Sequence, residues 1–228
     1  MTSLSSLFER RERALFTKWM NNSGLTVSVN GLSELKNVHF LKFTGADDGS
    51  TVFRLNRRQE RNCVFVPGGS DKDADWSFWV RRDFTGYRAA FADFITMTYG
   101  ITVRKDEFSS FHVDHLMNKE RLPHPDCFVR VEATLNSANT SWATYEKFMG
   151  KEEKGGRRTA SAVIFAKLGG LKMPTGTEGR TNSERIEAIV WHFKRNGLKE
   201  TAARQHIKSM IGHAYGEKVS FDPAAILE

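Results

Sequence analysis

The chain has 228 residues, 39% of them hydrophobic, with 17 Phe, 5 Trp and 4 Tyr, and Lys plus Arg at 34 exceed Asp plus Glu at 27 for a net charge of +7. That aromatic load needs a buried core and excludes wholesale disorder. No run approaches the roughly 18 apolar residues that span a bilayer, and Glu9 to Arg13 put charges among the apolar positions of the N-terminus, unlike a signal peptide, so no membrane association is expected. The basic excess is clustered at Arg10/Arg11/Arg13, Arg57/Arg58/Arg61, Arg81/Arg82 and Lys151 to Arg158, the footprint expected for a polyanionic partner. Two cysteines, Cys63 and Cys127, are too few for a disulfide framework or a four-thiolate zinc site, and both sit in apolar runs as reduced core thiols do.

The first expected element is a helix over 6–20, opened by Ser6 at capping-box spacing from Glu9 and carrying Leu7, Phe8, Leu15 and Trp19 on one face. Short β-rich runs follow at Leu25 to Val29, Val38 to Phe43, Thr51 to Leu55 and Cys63 to Val66. The turn signals Asn30-Gly31, Asp48-Gly49 and Pro67-Gly68-Gly69 separate them, which predicts a small antiparallel sheet. Trp76 to Val80 reads as another strand, and Tyr87, Phe91, Phe94, Ile95 and Thr98 recur at helical spacing until Gly100. Residues 101–149 read as strand (Ile101 to Arg104), strand (Phe111 to Leu116), a Pro-containing loop, strand (Phe128 to Ala133) and helix (Ser137 to Met149). Lys151 to Arg158 reads as a solvated connector. Two helices close the chain, one capped at Asn182 or Ser183 and ended by Asn196-Gly197, the other over Lys199 to Ala214. The expected class is α+β in three segments: an N-terminal helix, small sheet and packing helix over 1–100, a strand-strand-helix core over 101–150, and a mainly helical extension over 151–228.

The densest chemistry lies in Ser110-Phe-His-Val-Asp-His-Leu-Met117, in Phe128-Val-Arg-Val-Glu132, and in the run Leu135-Asn-Ser-Ala-Asn139 that leads to Glu146-Lys147. Three of the seven histidines, His112, His115 and His124, fall in this region. The region resembles the HNH, or ββα-metal, endonuclease superfamily and its toxin-like members. That family places an Asp-His pair at the end of one strand and an Asn early in the following helix, matched here by Asp114-His115 and Asn139. Two departures stand out: no second His or Asn follows Asn139 by three or four residues, and Arg130 stands where a base-orienting Asn or His is often found.

The resemblance implies a metal-dependent endonuclease that hydrolyses DNA phosphodiester bonds, with ribonuclease chemistry on the same site as the close variant. Asp114 and Asn139 would hold Mg²⁺, or Mn²⁺, as hard oxygen donors, and His115 would act as general base, since imidazole titrates near neutrality. Adjacent residues of a regular strand face opposite ways, so Asp114 and His115 converge only if the strand twists or bulges there. His112, His124, Arg130, Asn136 and Glu146 are candidates for supporting or substrate contacts, and Arg57, Arg58, Arg157 and Arg158 for phosphate. A cytoplasmic nuclease of bacterial or phage origin is implied, or one delivered into target cells and paired with an immunity protein if the chain is a toxin. His112/His115 has no companion Cys or His pair to complete a zinc site, and the glycine-rich stretches at 68–69 and 169–170 lack a Walker lysine-serine ending. The competing reading is a noncatalytic DNA-binding protein that uses the two C-terminal helices as a helix-turn-helix.

Overall fold

A computed structural model describes residues 3–22, 25–35, 61–68, 71–103, 108–152, 155–174 and 179–215. The expected strands at Val38 to Phe43 and Thr51 to Leu55 lie outside the described residues, as do Arg57 and Arg58. In chain order the elements are α1 (Leu4–Asn22), β1 (Thr26–Val29), β2 (Cys63–Val66), α2 (Lys72–Asp75), β3 (Ser77–Arg81), α3 (Tyr87–Tyr99) and β4 (Phe111–His115). A 3-10 turn (Lys119–Arg121) leads to β5 (Phe128–Leu135), α4 (Asn136–Glu152), β6 (Arg158–Thr159), α5 (Ala162–Leu168), α6 (Gly179–Arg195) and α7 (Glu200–Tyr215). The architecture is α+β.

The six strands form one sheet in the order β2-β3-β5-β1-β6, with β4 paired to β5, and every pairing is antiparallel. Strands from before residue 100 therefore pair with β5, and β6, from beyond residue 150, pairs with β1. The three expected segments contribute to a single sheet. They also share a core: Leu7 and Phe16 of α1, Phe91 and Phe94 of α3, Val131 of β5, Phe165 of α5, Phe193 of α6 and Ile207 of α7 belong to one buried cluster. Burying each such side chain contributes about 1.5–3 kcal/mol, which explains why the C-terminal helices pack on the body.

Several local expectations shift. Ser3, rather than Ser6, caps α1, since Ser6 N donates to Ser3 Oγ at 3.2 Å. Ile101 to Val103 is not a strand; Ile101 and Val103 pack against the core as part of an irregular segment. α6 starts at Gly179, so Asn182 lies within the helix and is buried instead of capping it. The stops at Gly100 and Gly197 hold: both adopt positive φ, 69° and 98°, a conformation that costs glycine least. Arg158, expected in a solvated connector, begins β6, and the helix α5 has no counterpart among the expected elements.

Both cysteines are buried free thiols, and among the described residues no helix is long and apolar enough to cross a membrane. Two of the three arginines of the basic cluster at α1 are engaged in ion pairs. Arg10 pairs with Asp73 at 2.9 Å, and Arg11 is buried against Glu132 at 2.7 Å.

Candidate functional site

β4 and β5 run antiparallel in unbroken register from Phe111↔Leu135 to His115↔Val131, and α4 begins directly where β5 ends. Without a bulge, side chains alternate along β4. His112 and Asp114 share one face, and His115 takes the other. The convergence of Asp114 with His115 that the resemblance requires is therefore absent, and the contacts agree. The His115 ring lies against Tyr87 of α3, with centroids 4.6 Å apart. Its Nε2 is buried with no hydrogen-bond partner among the described residues. Burial pushes its pKa down to about 4, against the opposing pull of Asp114. His115 is a neutral ring packed in a wall.

The opposite face of β4 meets α4 and α5. Asn139 Nδ2 lies 3.0 Å from His112 Nδ1. The Asp114 carboxylate accepts a hydrogen bond from Lys167 Nζ of α5, which also donates to Glu146 Oε1 at 2.6 Å. Two rungs thus join the same strand to the same helix: His112 to Asn139, and Asp114 through Lys167 to Glu146. Helix periodicity accounts for the second rung, since Asn139 and Glu146 are seven residues apart, about two turns. Lys167 is nearly sealed, with 5% of its side chain exposed, whereas Asp114 and Glu146 each keep 21%. Burial acts to lower the Lys167 pKa, but the two carboxylates outweigh it and hold the ammonium charged. Burial raises the pKa of Glu146, with Lys167 pulling the other way.

The remaining expected residues disperse. Arg130 is buried and donates through Nε and Nη2 to Glu132, which Arg11 also grips, so it serves a separate ion network. Asn136 Nδ2 donates to Ser109 O at 2.6 Å and fastens the start of α4. His124 lies in the loop before β5, with Nε2 3.6 Å from Cys127 Sγ. Arg157 is exposed, 4.0 Å from Glu34. Arg158 does reach the cluster's surroundings: with Asn118, Arg121, Tyr145, Glu146 and Ser161 it lines a cavity of about 180 Å³.

Lys167 escaped the sequence reading. Its signal was present, because a lone lysine inside Ala162-Val-Ile-Phe-Ala-Lys-Leu168 is buried only when carboxylates pair it. Arg121, in the loop between β4 and β5, was missed as well.

The donor set can be tested against a hard divalent cation. Asp114 and Glu146 direct carboxylate oxygens at one positive centre, the arrangement such an ion takes, and Mg²⁺ commonly uses only one or two carboxylates with water and phosphate completing its shell. The described residues hold no group of three His, Cys, Asp or Glu suited to a metal, so the fit is to this carboxylate pair, at the position Lys167 Nζ now takes. Asn139 is turned to His112. No family model, curated protein or solved structure matches the chain, and the functional reading rests on these residues themselves.

Proposed function

We propose that the chain is a divalent-cation-dependent endonuclease that hydrolyses DNA phosphodiester bonds at the cluster of His112, Asp114, Asn139, Glu146 and Lys167. The observation that carries this reading is the pair of rungs between β4 and α4, which gathers an imidazole, an amide, two carboxylates and an ammonium, one of the carboxylates, Glu146, lining a cavity with Arg121 and Arg158. Hydrolysis needs a proton acceptor for the attacking water and positive charge to offset the charge that develops on the phosphoryl oxygens.

His112 supplies the acceptor. Its partner sets which nitrogen is available: an Asn139 amide that donates to Nδ1 leaves the ring proton on Nε2, whereas an amide turned to accept from Nδ1–H frees Nε2 to take a proton from water. Asn139 is therefore the residue that positions and tautomerises the base. Lys167 supplies the positive charge between the two carboxylates, which keep it ionised, while no cation is bound there. Asp114 and Glu146 would hold the divalent cation, which supplies charge neutralisation at the phosphate when bound. Arg121 and Arg158 offer guanidinium groups to flanking phosphates.

The test is incubation of supercoiled plasmid with the folded protein and Mg²⁺ or Mn²⁺, beside a control in EDTA. Nicked and linear products with metal, and none in EDTA, are expected. Plasmid left intact by both metals overturns the reading, and cleavage of an RNA substrate in its place assigns the site to the ribonuclease variant.

A further inference from the structure

The 180 Å³ cavity beside Glu146 does not end there. It shares Arg121, Tyr145, Met149, Ser161 and Val163 with a second cavity of about 640 Å³, so the two form one cleft that runs from the Lys167 cluster between α4, α5 and α7. The cleft has two chemically distinct ends. Arg158 stands at the end beside Glu146, and Arg121 lines both cavities. The far end carries Trp19, His206 and Ser209, with Tyr145 between the two. The Trp19 and His206 rings are 5.3 Å apart, and Trp19 is backed by Phe165, stacked at 4.7 Å, so the indole is held in place on one side. Burial lowers the His206 pKa and keeps that ring neutral. The larger cavity falls within the roughly 300–1,000 Å³ typical of small-ligand pockets.

A ligand matched to this gradient has an anionic group at one end and a flat, partly polar ring system at the other. A phosphate on guanidinium groups with a base among aromatic rings has both. We infer that the cleft is a nucleotide subsite, in which a phosphate lies against Arg121 and Arg158 and its base enters the cavity lined by Tyr145, Trp19 and His206. The inference rests on the nuclease reading for its biological use: the subsite holds the nucleotide next to the scissile bond, and its base must leave the duplex stack to enter. Strand ends, gaps and single-stranded DNA are then preferred over intact duplex.

Isothermal titration of the full chain with thymidine 5′-monophosphate, thymidine and inorganic phosphate, all in EDTA, tests the subsite without any turnover. The monophosphate is expected to bind with a Kd on the order of 0.1–1 mM, and each fragment roughly tenfold more weakly or worse. Arg121→Gln weakens the monophosphate about tenfold, the loss expected for one charge-assisted hydrogen bond, while His206→Ala weakens it severalfold and leaves phosphate binding unchanged. In NMR of the wild-type chain the Trp19 indole N–H shifts on titration and that of the buried Trp79 does not, a readout independent of any variant's folding. Phosphate binding as tight as the monophosphate, or a Trp19 signal that stays still, overturns the subsite. Monophosphate binding through Arg121 in a protein that cuts no nucleic acid overturns the nuclease reading and leaves the subsite standing. Cleavage without monophosphate binding does the reverse.

Discussion

Asp114 and Glu132 face each other directly across the β4–β5 pair, and their surroundings could hardly differ more. Glu132 is sealed: its side chain is 4% exposed, and its two oxygens take hydrogen bonds from Arg11 and Arg130. Tyr99, whose phenol is pushed up to about 12 mainly by burial, accepts from the same Arg11 and donates to Lys72 O. Every strong group there is used up inside the protein. Asp114 instead shares one ammonium with a second carboxylate, and both acids keep a fifth of their side chains in contact with solvent. Two like charges held together beside a cavity cost stability that a purely structural ion pair would not need to incur. A charge network that closes on itself holds the fold; one left open at a cavity can act on a ligand.

The contrast can be broken or sharpened by substitution. Glu132→Gln leaves two buried guanidinium groups without their carboxylate and should cost about 3–5 kcal/mol in urea unfolding; a loss below about 1 kcal/mol would show that the network is not structural. The second largest effect is a pH dependence on the other face of β4. His115 has its pKa lowered to about 4 in the folded chain, against 6.5 for the ordinary group. The unfolded chain therefore takes up a proton first as the pH falls. The stability that neutral His115 contributes is complete above pH 6.5 and is lost between 6.5 and 4, by at most about 3 kcal/mol. His115→Leu should flatten that part of the stability profile, measured by unfolding at pH 7 and pH 4.5; equal slopes for variant and wild type would contradict the packing of His115 against Tyr87. Lys167→Met should cost less, about 1–3 kcal/mol, because its carboxylates can turn to water, and it should shift the titration of Glu146 further upward as followed by carboxyl NMR. The smallest change is Arg158→Gln, expected to weaken DNA binding by up to about tenfold and to reduce the slope of log affinity against log salt by about one phosphate contact. An unchanged slope would remove Arg158 from the phosphate path.

Much of this fold was legible because the relevant signals are local. The run Cys63-Val-Phe-Val66 matches β2 residue for residue, and Gly100 and Gly197 stop their helices through backbone freedom that no neighbour alters. Asp114 and His115 teach a sharper lesson. Strand alternation alone puts them on opposite faces, and the motif resemblance joins them only through a bulge that β4 lacks. The Lys167 contacts were hidden for a different reason. They bridge 53 and 21 positions of sequence, and no periodicity reports that distance. Arg11 and Arg130 show the same limit from the charge side, since composition counts a buried arginine and a solvated one alike.

The central claim, that His112 and not His115 serves the reaction, is tested most directly by comparing plasmid cleavage by His112→Ala and His115→Ala in Mg²⁺, with circular dichroism to establish that both are folded. Loss of a positioned base costs about 10²- to 10⁴-fold. The account predicts that loss for His112→Ala, and a rate within a few-fold of wild type for His115→Ala. A folded His112→Ala that cuts at the wild-type rate, with His115→Ala inactive, would contradict it.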